Sequence, residues 1–143
     1  MITIESTKSI AKSPADVFAF VADVRNDPHW HTDVLEAQLI SGTVVAEGTT
    51  FTIRFKPFMG LSEGTGIVTV YEQPHRFVME ERMGKFESKI IVIIEPNTAG
   101  SQITRRVEME SAGLLRFTAP FMGGMMRSQN SGFLANLKRV LAE

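Results

Sequence analysis

Between Val34 and Glu110 the chain carries six runs that read as β-strands, and only one later segment is long enough to cover the sheet they would form. The runs are 34–41, 50–57, 62–72, 76–83, 86–95 and 101–110, separated by "SGTVVAEG", "PFMG", "EQPH", "MGK" and "PNTAG". Gly and Pro in such short connections turn the chain back on itself, so consecutive strands are antiparallel neighbours. A seventh strand precedes them: Ile2, Ile4 and Ile10 share one parity, and Thr3, Glu5, Thr7 and Ser9 the other. That is the period of a half-buried strand.

Helical signals flank this block. In "SPADVFAFVADV" Ser13 is a cap, Pro14 suits the first helical position, and Val17, Phe20 or Val21, and Val24 recur at helical spacing. Asp27 and Pro28 repeat the cap-then-proline logic over one short turn holding His29, Trp30 and His31. After "SAG" at 111–113, Met122, Met126, Phe133, Leu137, Val140 and Leu141 approximate a helical stripe that Gly123 and Gly124 weaken locally. A helix of roughly 20 residues, ~30 Å long, is the cover available to seven strands. The expectation is an α+β fold in which the sheet curls around the terminal helix, within a single domain spanning 1–143, since no repeat or linker divides the chain.

Composition narrows the functions. The 143 residues are 43% hydrophobic and 22% charged with a formal net charge of −1, which supports a core and gives no overall attraction to nucleic acid or anionic lipid. The absence of cysteine removes disulfides, thiolate nucleophiles and Cys-ligated zinc, and suits a reducing compartment. The opening "MITIESTKS" is neither a signal peptide nor a membrane span, and "IIVII" is too short to cross a bilayer. A cytoplasmic location, no membrane insertion and a monomer or homodimer are expected. "GTG" does not join a strand to a helix, so no nucleotide loop is read, and Ser9 with Lys12 lacks the partner motifs of a nucleophile.

The order β-αα-β6-α, with "SPADVFAFVAD", "NDPHW", "VVAEGTTFTIRF", "VYEQPHRF" and "FLANLKRVL", resembles the START-like helix-grip (SRPBCC) superfamily. Within it the chain is most similar to the polyketide cyclase/dehydrase and lipid-transport group of bacterial proteins. The resemblance covers essentially the whole chain and implies a deep apolar cavity between a curved sheet and the long helix, entered near the short helices. It implies a ligand carrier, a cyclase or dehydratase, or a partner-binding module, and does not choose among them.

Strand parity supplies candidate residues for such a cavity. If Gly84 and Lys85 form a two-residue hairpin tip, Met83 faces Phe86 and Glu81 falls opposite Ser88, in the apolar phase of Phe77 and Met79 on one strand and of Ile90 and Val92 on the next. The phase of Ile103, Val107 and Met109 contains Arg105, which the "NTAG" loop places across from Val92. Glu81 and Arg105 then share a face four residues apart, ~13 Å along the strands, too far for a direct ion pair. A charge on an apolar wall orients a polar group of the ligand or does acid/base work, so both are candidate catalytic residues. Two alternatives stand beside this: the opposite faces point inward, a reading Ile91 and Ile93 keep open for 86–95, or the pair sits at a wet mouth.

Further ligand-binding candidates are Phe51, Ile53 and Phe55, whose partners Thr52, Arg54 and Lys56 face solvent. Gly64 and Gly66 mark a bulge or a close approach to the backbone. Phe117, Phe121, Met122 and Met125 make an adaptable wall, eight methionines being many for this length, though ordinary core filling accounts for them equally well. Trp30 is read as anchoring its turn at the cavity rim with both histidines facing water, a pH-sensitive gate being the alternative. Two histidines at i and i+2, with only Asp27 and Asp33 near, do not make a metal site. The expected function is binding or transport of a small apolar molecule, lipid-like or polycyclic, without a cofactor. A cyclase or dehydratase using Glu81 with Arg105 or Ser88 is the alternative. A partner-binding module would instead show an apolar outer sheet face, against which the alternating polar residues argue.

Overall fold

The computed structural model describes residues 1–111 and 115–142, with side chains described for 1–110 and 122–142. The elements are β1 (Ile2–Ile10), α1 (Pro14–Val21), a 3-10 turn (Val24–His29), β2 (Val34–Leu39), β3 (Thr50–Phe58), β4 (Leu61–Glu72), β5 (Arg76–Met83), β6 (Phe86–Asn97), β7 (Gly100–Ser111) and α2 (Leu115–Leu141). The seven strands form one antiparallel sheet in the order β1-β7-β6-β5-β4-β3-β2, so the chain is an α+β fold of the helix-grip type. Irregularities at Val34/Glu36, Arg54/Phe58 and Val68/Val70 interrupt the ladders, as bulges do where a strand bends.

Local chemistry explains the elements. The Ser13 hydroxyl accepts from the Asp16 amide at 3.2 Å, Pro14 follows as the first helical residue, and α1 buries Val17, Phe18 and Val21. The 3-10 turn begins earlier than its Asp-Pro pair suggests: Asp23 caps it by accepting from the Arg25 amide, and Pro28 lies inside. Asp27 closes its end through its carbonyl, which accepts from the amides of Trp30 at 3.1 Å and His31 at 2.7 Å. The β5–β6 hairpin turns on Gly84 and Lys85 with Gly84 at φ +60°, which glycine adopts without a Cβ penalty, and Met83 pairs with Phe86.

One sheet face and α2 enclose the core. Met122, Met126, Asn130, Phe133, Leu134 and Leu137 form the buried stripe of α2, and Gly123 and Gly124 do not interrupt the helix. Ile4, Ile90, Val107 and Met109 approach it from the sheet, while Phe18 of α1 stacks edge-on against Tyr71 at 5.1 Å and Phe77 at 5.8 Å. The glycines of β4 record a close approach: a Cβ on Gly66 would lie 2.3 Å from the Phe51 ring. Phe51 fills the space a side chain on β4 would take. A smaller cluster of Val34, Ile53 and Phe55, with Phe58, Leu61 and Met83 against it, sits at the β2–β4 side. No helix among the described residues is long and apolar enough to cross a membrane.

Candidate functional site

Between the inner sheet face and α2 lies a cavity of about 350 Å³. Its wall is mostly apolar: Ile53 and Phe55 from β3, Ile90 from β6, Val107 and Met109 from β7, and Met125, Met126 and Phe133 from α2. Into it come Glu81, Ser88 and Arg105 from the sheet, His31 and Asp33 after the 3-10 turn, Asn130 from α2 and Lys56 at the edge. The expected registers are present, Glu81 opposite Ser88 and Val92 opposite Arg105, so the inward phase of β5, β6 and β7 is the one carrying the two charges. Both are buried, Glu81 at 8% exposure and Arg105 at 6%.

Arg105 is held by α2. Its Nη1 donates to the Asn130 Oδ1 at 2.5 Å, and the Asn130 Nδ2 donates back to the Arg105 carbonyl at 2.9 Å. The guanidinium lies 5.4 Å from the Phe133 ring centre and 6.0 Å from that of Trp30, positions that favour a cation over a π-face. His31 packs against the same two rings, 4.0 Å from Trp30 and 4.6 Å from Phe133 between centroids, and its Nδ1 is 3.6 Å from the Asp27 Oδ2. Asn136 of α2 fixes the turn from outside, its Nδ2 donating to the Trp30 carbonyl at 3.3 Å.

Burial sets the protonation states. The Glu81 carboxyl is pushed up to about 7 by loss of water, with the nearby Arg105 opposing and Asp33 reinforcing the shift. Asp27 is raised well above the usual carboxylate range by burial and by the charge of Glu81, and Asp33 is raised by burial. His31 is lowered well below its ordinary value by burial and by Arg105, so its ring is neutral near pH 7. Arg105 is itself lowered by burial, against the pull of Asp27, Glu81 and Asp33.

Several expected site residues occupy other positions. Trp30 is buried at 2% exposure, behind His31 and Arg105, so the rim placement is corrected: the ring backs the wall and does not form the edge. Of the two histidines beside Trp30, only His29 faces solvent; His31 is buried because the amide bond to the Asp27 carbonyl tucks its ring between Trp30 and Phe133. Phe51, Phe77, Met79, Val92 and Met122 lie in the packed core and do not line this cavity. They have the inward parity, but Phe18 covers Phe77, and Phe51 is spent on the gap over Gly66. The side chains of Phe117 and Phe121 lie outside the described residues. Asp27, Asp33, Lys56 and Asn130 belong to the site without having been singled out for it. Asn130 had a signal, standing four residues after Met126 and three before Phe133 on the apolar stripe. Among the described residues, no three His, Asp or Glu side chains are grouped to hold a metal ion.

The family model for polyketide cyclase / dehydrase and lipid transport matches residues 1–142. The chain belongs to this family. Among solved structures, a protein from Thermus thermophilus superposes with a TM-score of 0.77 at 14% identity, covering 98% of this chain and 97% of that one. A protein from Rhodobacter sphaeroides gives 0.71 at 17% identity, with 99% and 92% covered. DynU16, from the dynemicin biosynthetic locus, gives 0.71 at 14% identity over 99% of this chain and 48% of its own. At such identities these likenesses speak for the shared fold alone. A search of curated proteins finds no match. Family membership supports ligand binding or polyketide-related chemistry and leaves the ligand open.

Proposed function

We propose that this chain binds a compact apolar molecule carrying at least one polar group in the cavity between the sheet and α2. The observation that carries the reading is the cavity itself: about 350 Å³, mainly apolar in its wall, with a few convergent polar side chains. Small-molecule sites span ~300–1,000 Å³, so this volume suits a short acyl chain or a small ring system better than a two-chain lipid. Burying ~200 Å² of apolar ligand surface is worth ~5 kcal/mol at ~25 cal/mol per Å², before the cost of immobilising the ligand. Trp30 reports occupancy because His31 and Arg105 link it to the cavity. Titration with a naphthalene-sized probe is expected to shift its emission and release heat, and saturating probe without either signal excludes the reading. Native mass spectrometry of protein purified from its own host is expected to show a co-purifying small molecule.

A second reading, a cyclase or dehydratase, is favoured by one observation: the Glu81 carboxyl sits at about 7 inside the cavity, where it can take or give a proton at neutral pH. Glu81 as carboxylate takes a proton from a carbon between two carbonyls, Arg105 offsets the charge left on the enolate oxygen, the enolate carbon bonds to a ketone carbon further along the same molecule, and the Glu81 acid gives its proton to the alkoxide so formed. Glu81→Gln separates the readings. A carrier keeps its affinity within a few-fold, whereas an enzyme of this kind loses turnover; retained turnover excludes Glu81 as the proton carrier.

A further inference from the structure

Arg105 is a buried cation without a fixed counter-ion among the described residues. Among the described residues no carboxylate comes within ion-pairing distance of it, its charged head meets the neutral Asn130 and the faces of Trp30 and Phe133, and its Nε has no hydrogen-bond partner. A desolvated guanidinium is tolerated when paired, hydrated or used, and among the described residues an ion pair is the option left unfilled.

Resting on the cavity-binding reading above, we infer that the ligand is an organic anion, an apolar body ending in a carboxylate or an equivalent delocalised oxyanion that pairs with Arg105. A planar guanidinium presents a fork of donors that matches the two oxygens of a carboxylate, and among the described wall residues no other group offers it. The described groups facing Arg105 are Asp27 and His31 from the 3-10 turn and its exit, Asp33 just before β2, Glu81 from β5 and Asn130 from α2; Lys56 on β3 is a second cation among the described wall residues. Asn130 and the neutral His31 bring no competing charge. The three carboxyls compete for the guanidinium only when ionised, and burial holds all three toward the protonated form. As the solution becomes acidic they yield Arg105 to the ligand, and as it becomes alkaline Glu81 competes. Anion binding therefore draws a proton onto the protein and weakens above neutrality.

Calorimetry with 2-naphthoate and its neutral isostere 2-naphthalenemethanol tests this on the wild-type chain. At about pH 6 the carboxylate is expected to bind about tenfold more tightly than the alcohol, the gap closing by about pH 8.5. Arg105→Gln is expected to erase the preference, and Lys56→Gln to retain it. If Arg105→Gln does not fold, the wild-type probe pair at the two pH values and Lys56→Gln still decide. An alcohol binding as tightly as the carboxylate at about pH 6 overturns the anion assignment and leaves the cavity-binding reading standing. A preference that survives in Arg105→Gln, or vanishes in Lys56→Gln, overturns the role of Arg105. If neither probe binds, the cavity-binding reading fails and the assignment falls with it.

Discussion

Replacing Glu81 by Gln should make the protein more stable in alkaline solution and leave it almost unchanged in acid. The folded carboxyl titrates at about 7 against an ordinary value of 4.5, and the cause is burial at 8% exposure on an apolar wall. Below the ordinary value both folded and unfolded chains carry the proton, so this group adds no pH dependence. Between 4.5 and about 7 the unfolded chain releases it while the folded chain keeps it, and stability falls as pH rises. Each pH unit of that window is worth ~1.4 kcal/mol, so by about pH 9 the ionised side chain costs ~3 kcal/mol relative to about pH 4. Gln has nearly the same shape and no proton to lose. Urea unfolding of both proteins, buffered at about pH 4 and about pH 9, isolates the term, because the other titrating groups enter both curves. The expected result is a stability difference that moves by ~3 kcal/mol in favour of the variant between the two conditions. Ionised Glu81 also raises Asp27, so its removal relieves that carboxyl and acts in the same direction. Parallel pH profiles would refute the claim that desolvation, and not an unseen partner, governs Glu81.

Three further outcomes are expected. Gly66→Ala forces a methyl group to 2.3 Å from the Phe51 ring and should cost ~1–3 kcal/mol in chemical unfolding; an unchanged midpoint would show that the ring is free to move. Asn130→Ala removes both bonds between α2 and Arg105 and should cost ~2–3 kcal/mol, read as a lower thermal midpoint, with Asn130→Asp restoring only part of it, since its carboxylate pairs with the guanidinium but has no donor for the Arg105 carbonyl. Ser13→Ala strips the cap of α1 and should cost ~1 kcal/mol in the same assay, a loss that Ser13→Asp avoids.

The hairpin registers were legible because their signals are local and redundant. A two-residue tip at Gly84 and Lys85 fixes Met83 against Phe86, and period-two alternation then forces Glu81 opposite Ser88, since a slip of one residue would send every side chain to the other face. Parity names a face, however, and not what covers it. Phe77 and Ile90 share the inner face, yet only Ile90 reaches the cavity, because Phe18 of α1 lies over Phe77. That choice depends on where a short helix comes down on the sheet, a contact between residues some sixty positions apart. The inward turn of His31 was hidden for a different reason. Residues 27–33 have no period to reveal an inner side, and the turn is placed by the Asp27 carbonyl, which accepts from the His31 amide, and by the Asn136 side chain, which donates to the Trp30 carbonyl.

The distribution of unpartnered polar atoms ties these observations together. Among the described residues, the buried side-chain atoms without a hydrogen-bond partner in the protein belong to Asp27, Trp30, His31, Asp33, Ser88 and Arg105. Four of these residues line the cavity, Trp30 stacks on His31, and Asp27 lies 3.6 Å from the same ring. Each such atom, if it met neither water nor ligand, would cost ~1–3 kcal/mol, a large share of a domain's stability of ~5–15 kcal/mol. Apolar replacements in those positions would close the wall more tightly, and the rest of the inner face shows that this chain packs solidly where it can, with Phe18, Phe51, Ile103, Leu134 and Leu137 almost fully enclosed. A concentration of unmet donors and acceptors at one hollow, beside a core so well filled, is what the proposed cavity-binding reading requires, its remaining partners being water or the ligand.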